Sequence, residues 1–225
     1  MSNSDYIEEL DAGIQELKND IKKYKNNKNI EIELRIGQIQ DNNSFKSGLN
    51  SVDFYNKIKQ TLDSCKDWSN VLRTKTDELN NSGIRKITHF NDKKITKSSC
   101  IKKQRLKNTN LKYSNTPYDI RISISEEVES DSKIKTGTLR VKERDSYFYK
   151  DYRFDLTKVT QTENTLVTVN YEFEVEFMNL DNDVSDLYRA HSGLLIMRDI
   201  INMCEPISDS KIELDIAENI ANLKI

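Results

Sequence analysis

Between Tyr171 and Phe177 the chain reads Y-E-F-E-V-E-F, apolar and acidic side chains in strict alternation. A period of two is that of a β-strand, with Tyr171, Phe173, Val175 and Phe177 on one face and Glu172, Glu174 and Glu176 on the other. Ile30 to Gly37 repeats the pattern: Ile30, Ile32, Leu34 and Ile36 oppose Glu31, Glu33 and Arg35. Between these stretches the sequence predicts strands over 71–79, 85–91, 93–107, 120–128, 138–147 and 152–159. Short Asn, Asp, Ser and Gly turns separate them, as in an antiparallel meander. Ile120, Ile122 and Ile124 oppose Arg121, Ser123 and Ser125; Leu139 and Val141 oppose Arg140, Lys142 and Arg144; Tyr152, Phe154 and Leu156 oppose Arg153, Asp155 and Thr157. Lys103, Arg105 and Lys107 share a face in the same way, although Lys102 and Gln104 weaken its apolar side.

Three segments carry a helical period instead. Over residues 5–25, Tyr6, Ile7, Leu10, Ile14, Leu17, Ile21 and Tyr24 recur every three or four positions, with Ser4 placed as N-cap. Ser51 caps a second helix bearing Tyr55, Ile58, Leu62 and Cys65. A third carries Leu187, Ala190, Leu194, Met197 and Ile201, is interrupted by Gly193, and cannot extend through Pro206. Residues 41–50 read as a polar loop and 126–137 as a solvated hairpin tip. Residues 211–216 alternate once more, as a last strand, and 217–225 form a tail or the start of a linker. The helices need an apolar surface to cover, and the strands' outer faces supply one. Eight strands are about enough to close a barrel, whose interior is then the charged face. The expected fold is therefore a single α+β domain over 1–225: a closed antiparallel eight-stranded β-barrel with a hydrophilic, charged interior and helices packed on its apolar exterior. The competing arrangement is an open sheet with every charge in water.

Composition narrows the chemistry. With 225 residues, 36% hydrophobic and 32% charged, the chain can bury one core. No run approaches the 18 apolar residues of a membrane span, and the first residues lack a signal-peptide pattern, so the expectation is a soluble, intracellular protein with no membrane partner. Cys65, Cys100 and Cys204 are odd in number and widely spaced, which argues against a disulfide framework or a zinc motif. With only His89 and His191, hydrolytic chemistry would have to run on carboxylates, lysines and arginines. A net charge of -2 is not that of a protein coating a duplex; an anionic ligand must be gripped locally.

A charged interior is tolerable only where opposite charges and ligands balance it. The acidic strands offer Glu31, Glu33, Glu172, Glu174 and Glu176, an oxygen-only set that suits a hard divalent cation such as Mg²⁺ or Mn²⁺. The basic strands offer Lys103, Arg105, Arg121, Arg140, Lys142, Arg144 and Arg153, groups that suit a polyphosphate. Metal, polyphosphate and a spare carboxylate to orient water together describe a phosphohydrolase.

I-E-I-E-L-R-I-G, R-V-K-E-R-D-S-Y followed by Y-R-F-D-L-T, and Y-E-F-E-V-E-F, in that order, resemble the triphosphate tunnel metalloenzymes. The likeness is greatest to the metal-dependent RNA 5′-triphosphatases of fungal, protozoan and large DNA virus capping systems, and the Asn, Lys and Ile bias fits a mimivirus-type capping enzyme. The resemblance covers roughly residues 30–177. It implies removal of the γ-phosphate from the 5′ end of nascent RNA, the first step of mRNA capping, with Mn²⁺ or Mg²⁺. It implies Glu31, Glu33 and Glu176 as metal ligands and Glu174 as the group that orients water. Lys142, Arg144 and Arg121 would be catalytic and phosphate-binding, with Lys103 and Arg105 as further phosphate ligands. Arg35, Glu172, Asp155 and Thr157 would support the site. Arg35 replaces the lysine that the thiamine triphosphatase and adenylyl cyclase branch carries in its Glu-x-Glu-x-Lys strand, which favours the RNA triphosphatases. The implied partners are 5′-triphosphate RNA, free nucleoside triphosphates and a guanylyltransferase, the last in another protein or downstream in the same polypeptide. Localisation would be cytoplasmic or virion-associated for a virus, nuclear for a cell. Two further readings stay open: a tunnel hydrolase of tripolyphosphate, thiamine triphosphate or free nucleotides, and a non-catalytic anion-binding barrel.

Overall fold

A computed structural model of the protein describes residues 3–91, 94–113, 116–163 and 166–204. In chain order the elements are α1 (Asn3–Tyr24), β1 (Ile30–Ile39), β2 (Phe45–Ser47), α2 (Val52–Ser64), β3 (Asn70–Asn81), β4 (Ile84–Asn91) and β5 (Lys94–Leu111), followed by β6 (Asp119–Glu129), β7 (Thr138–Tyr149), β8 (Tyr152–Glu163), β9 (Leu166–Phe177) and α3 (Asp186–Asn202). Eight strands close in the order β1-β6-β5-β4-β3-β7-β8-β9, and β9 returns to β1 through Glu33 opposite Glu176 and Arg35 opposite Glu174. Every pairing is antiparallel. The short β2 lies outside this ring, paired to β1 at Gly37 to Ile39.

The order is two meanders, β3 to β6 and β7 to β9, locked together by β1 on one side and the β3/β7 pair on the other. The connection from Glu129 to Thr138 is consequently not the tip of a hairpin: it joins strands four places apart on an eight-strand ring. Polar composition alone marks exposure and says nothing about which strands are joined. Glu127, inside the predicted 126–137 tip, belongs to β6 and faces the lumen.

The hydrophobic core lies outside the barrel, as the alternation requires. Ile32, Leu34 and Ile36, Ile120, Ile122 and Ile124, Phe154 and Leu156, and Phe173 and Val175 are almost wholly buried on outer faces. Ile14, Leu17 and Ile21 of α1, Phe54, Ile58 and Leu62 of α2, and Ala190, Leu194, Met197 and Ile201 of α3 join them in one cluster. Ser51 caps α2, its hydroxyl accepting from the backbone N–H groups of Asp53 and Phe54. α1 begins at Asn3, so Ser4 falls within it rather than capping it. Gly193 marks no break in α3; a Cβ there would come within 2.7 Å of the Phe177 ring, so glycine lets the helix approach the barrel. Leu187, expected on the buried face of α3, is 42% exposed.

The apolar exterior is not continuous. On β4 and the first half of β5 the faces are mixed: Ile87 and Ile101 line the lumen beside Arg85 and Lys103, while Lys102 is exposed outside. In β5 the pairing with β6 shifts between Arg105 and Lys107. This bulge turns Lys107 outward, to Asp20 at 2.7 Å and Glu16 at 2.8 Å on α1, so it does not share a face with Lys103 and Arg105. The predicted strand over 211–216 and the tail over 217–225 lie outside the described residues. Among those described, no helix is long and apolar enough to cross a membrane.

Candidate active site

The lumen narrows on a cavity of about 210 Å³ lined by side chains from all eight ring strands and almost entirely by charged and polar ones. From β1 come Glu31, Glu33 and Arg35, from β9 Glu174, from β8 Arg153, and from β7 Lys142 and Arg144. The remaining wall is Lys103 of β5, Glu127 of β6, Arg85, Ile87 and His89 of β4, and Thr74, Thr76 and Glu78 of β3. The strand period of two is what aims every second residue of each strand at the same space.

Charges interlock across this space. Arg35 lies 2.6 Å from Glu33 and 2.9 Å from Glu174. Lys103 pairs with Glu31 and, at 3.0 Å, with Glu127. Lys142 meets Glu78 at 2.6 Å, and Arg85 meets the same carboxylate at 3.4 Å. Arg153 pairs with Glu176 and, at 3.0 Å, with Asp155. Arg140 holds Glu172 at 2.7 Å. Asp155 and Thr157 organise the basic wall: Arg144 donates through Nη1 to Asp155 at 2.8 Å and through Nε to Thr157 Oγ1 at 3.1 Å, while the Ser146 hydroxyl donates to Asp155 at 2.6 Å. Asp155 and Thr157 are 2% and 0% exposed, so these guanidiniums are held by groups that cannot relax into water.

The carboxylates are not equivalent. Burial works to raise the pKa of Glu174, but Arg35, Arg144, Lys142 and Lys103 together hold it at about 2. Burial pushes Glu33 up to about 7; Arg35 opposes the shift, and Glu174 and Glu31 reinforce it. Glu176 rises to about 8, again from burial, against Arg153 and with help from Glu31, Asp155 and Glu33. For Glu31 the Lys103 ammonium outweighs burial and lowers the pKa. On the basic side, burial lowers the pKa of Lys142, with Arg144 and Arg140 adding to it against the attraction of Glu78.

Divalent-cation binding can be tested against these residues. Glu33 and Glu176 are cross-strand neighbours with Glu31 two positions along β1, and all their donors are carboxylate oxygens. Glu33 Oε1 is buried and accepts no hydrogen bond despite its closeness to Arg35. Carboxylates raised by burial, with their like-charged neighbours adding to the shift, are the electrostatic complement of a cation, so the set fits. As they stand, no three such groups among the described residues close on one point, because each is turned to its own cation: Glu31 to Lys103, Glu33 to Arg35, Glu176 to Arg153.

Most residues singled out in the sequence converge here, some do not, and others were missed. Glu176 and Asp155 stand directly behind the lining through Arg153, whereas Glu172 pairs with Arg140 and neither of those two lines the cavity. Arg105 and Arg121 do not line the cavity: Arg105 is exposed, and the Arg121 guanidinium lies over the Phe45 ring, 4.3 Å from its centroid, outside the central space. The alternation does not single out Arg85, Glu78 or Glu127 as site residues. Glu78 and Arg85 sit on strands whose apolar alternation is poor, and Glu127 sits in a stretch whose acidity reads as surface. Their one sequence signal is charge at the lumen parity of adjacent strands.

Comparison with known proteins agrees with this geometry. A family model described as "mRNA capping enzyme, beta chain" (mRNA_triPase) matches residues 51–189, more than half of the chain. The mRNA-capping enzyme subunit beta of Schizosaccharomyces pombe is 30% identical over 123 residues, which are 53% of this chain and 40% of that protein, so the chain spans less than half of that relative's length. The solved structure of the S. pombe Pct1 RNA triphosphatase superposes with a TM-score of 0.69 at 21% identity, covering 84% of this chain and 91% of Pct1. Pct1 in complex with the Spt5 CTD gives 0.68. The Mimivirus capping enzyme triphosphatase gives 0.56 at 18% identity, covering 90% and 99% of the two chains. β1, with its Glu31 and Glu33, lies outside the family match but inside the closed ring that these structures share. By the family match, the chain belongs to the mRNA triphosphatase family, the family of the mRNA capping enzyme beta chain.

Proposed function

We propose that this chain is a metal-dependent polynucleotide 5′-triphosphatase that removes the γ-phosphate from the 5′ end of nascent RNA, the first step of mRNA capping. The observation that carries the reading is the lumen itself: one cavity that brings Lys103, Lys142, Arg144, Arg35 and Arg153 against Glu31, Glu33 and Glu174.

The bases would hold the phosphate chain. On the lumen face of β7, Lys142 can exchange Glu78 for phosphoryl oxygens and Arg144 can offer them Nη2 while Asp155 holds Nη1, and Lys103 faces them across the cavity. Asp155 and Thr157 keep the Arg144 guanidinium aimed into the space, so binding costs little reorganisation. Glu31, Glu33 and Glu176 would hold the cation. A bound Mn²⁺ or Mg²⁺ supplies neutralisation of phosphate charge. Glu174, ionised through any working pH, is a weak base but a firm hydrogen-bond acceptor, which suits orienting a water for in-line attack better than removing its proton. Arg35, between Glu33 and Glu174, keeps the metal-side and water-side carboxylates apart. Glu172 supports the rim by fixing Arg140. A capping triphosphatase also needs a guanylyltransferase, in a separate protein or in further sequence of the same polypeptide, and a location where nascent transcripts occur: the nucleus, or the cytoplasm or virion for a virus.

The test is release of orthophosphate from triphosphate-ended RNA, ATP and inorganic tripolyphosphate side by side. RNA left with a 5′-diphosphate end and the highest kcat/KM supports the proposal. Turnover of tripolyphosphate or ATP with none of RNA would make this a small-molecule tunnel hydrolase instead.

A further inference from the structure

Inside the lumen the described basic residues have acidic partners. At one rim two do not. Among the described residues neither Arg105 nor Arg121 makes an ion pair. Arg121 donates Nε to Asn110 Oδ1 at 2.8 Å and lies over the Phe45 ring, 4.3 Å from its centroid. It stands directly opposite Arg35, which lines the cavity, across the β1/β6 pair. Arg105 of the neighbouring β5 has the same lumen-facing parity but pairs with Ser125, four positions along β6 from Arg121; its charge and that of Arg35 still reach Arg121, and burial first, then these two, lower its pKa. Arg105 and Arg121, two guanidiniums without an ion-pair partner among the described residues, leave this wall with positive charge to spare.

The aromatic side of the site is built deliberately. Phe45 belongs to β2, a three-residue strand outside the barrel whose pairing with β1 begins at Gly37. A Cβ at Gly37 would lie 2.5 Å from the Phe45 ring and 2.4 Å from the Lys46 carbonyl oxygen, so this approach requires glycine. Gly37 lets Phe45 lie down, and Phe45 and Asn110 hold Arg121 flat at the edge of the cavity. A planar cation pre-oriented this way loses little rotamer freedom when it meets a phosphodiester.

Building on the RNA triphosphatase reading, we propose that the Phe45/Arg121/Arg105 rim binds the sugar–phosphate backbone of the RNA strand just 3′ of the triphosphate. The rim would thereby give the enzyme its preference for polynucleotide over free tripolyphosphate. The lumen holds the group common to all triphosphates, and the rim holds what only a strand provides. Phosphate contacts of this kind position a strand without reading its sequence.

The experiment compares the wild type with Phe45→Ala and Arg105→Ala, on a triphosphate-ended RNA 20-mer and on tripolyphosphate. Binding of a 5′-hydroxyl RNA of the same sequence is measured by fluorescence anisotropy over a range of salt. Arg105 is exposed and without a partner among the described residues, so its replacement does not threaten the fold should Phe45→Ala prove unstable. The expected result is a fall of about tenfold in the ratio of kcat/KM for RNA to kcat/KM for tripolyphosphate, about 1.4 kcal/mol, carried by KM. The slope of log binding constant against log salt should shrink by about 0.7 in Arg105→Ala, which neutralises one phosphate fewer than the wild type. An unchanged ratio and salt slope in both variants would overturn the rim assignment and leave the RNA triphosphatase reading standing. A wild type that neither hydrolyses nor binds RNA would overturn both.

Discussion

Glu33 offers a quantitative probe, because in the metal-free protein its charge opposes folding. Its carboxyl is 3% exposed and its pKa is pushed from 4.5 to about 7, chiefly by burial, against Arg35 and with Glu174 and Glu31 adding to the rise. An acid whose pKa is raised by folding contributes no penalty below about pH 4.5, where both states are protonated. The penalty grows as pH rises towards 7 and is complete above it. At about 1.36 kcal/mol per unit, the full penalty is on the order of 3 kcal/mol. Glu33→Gln keeps the shape and removes the charge. Without metal at pH 8 it should therefore melt at or above the wild-type temperature, and the difference should vanish near pH 4.5. Mn²⁺ should reverse the order, since a ligand that binds only the folded state stabilises by about 2.7 kcal/mol at a hundred times its dissociation constant. The wild type should gain that stability and Glu33→Gln should gain much less. The assay is a melting curve for both proteins at pH 4.5 and 8, with and without Mn²⁺. An equal Mn²⁺ shift in the two proteins would refute Glu33 as a ligand, and a metal-free variant less stable than wild type at pH 8 would refute the electrostatics.

Lys142→Ala and Arg144→Ala should each lower kcat/KM for triphosphate-ended RNA at least tenfold, about 1.4 kcal/mol of transition-state stabilisation. Glu143→Ala, on the outer face between Lys75 at 3.1 Å and Lys158 at 3.7 Å, should stay within twofold; an equal loss would mean that the strand faces are misassigned. Asp155→Ala leaves the Arg144 and Arg153 guanidiniums without their shared buried carboxylate and should destabilise by about 3–5 kcal/mol in chemical denaturation. A cost below about 1 kcal/mol would show that Asp155 does not anchor them. Glu78, held at about 2 by Lys142 and Arg85 against burial, stabilises above about pH 4.5 and loses that contribution as pH falls towards 2, so Glu78→Gln should flatten the acid limb of a stability-versus-pH curve. An unaltered limb would contradict the pairing.

Where outer faces were apolar, the lumen could be read from the sequence. Ile32, Leu34 and Ile36 or Phe173 and Val175 determine which way Glu31, Glu33, Glu174 and Glu176 point, since a slip of one residue would place glutamates in the core. Ser51 as a cap was legible for a similarly local reason. Strand order was not. β1 sits between β6 and β9, and β7 beside β3, through pairings made at long sequence separation, which local periodicity does not encode. The bulge at Leu106 was equally invisible: one extra residue reversed Lys107, and nothing in K-K-Q-R-L-K marks it. Arg85 and Glu78 escape notice because no buried hydrophobic residue lies on β3 or β4 among the described residues, so the lumen parity has no apolar contrast there. Arg121 was placed on the right face but too deep, since its depth depends on Phe45 and Gly37, contributed by another part of the chain.

Whether the interlocked lumen is a metal-dependent phosphohydrolase site can be settled by orthophosphate release from triphosphate-ended RNA in EDTA, and again after Mn²⁺ or Mg²⁺ is restored in excess. The carboxylates of β1 and β9 require that turnover cease in EDTA and return with either ion, leaving RNA with a 5′-diphosphate end. Full turnover in metal-free buffer would contradict it.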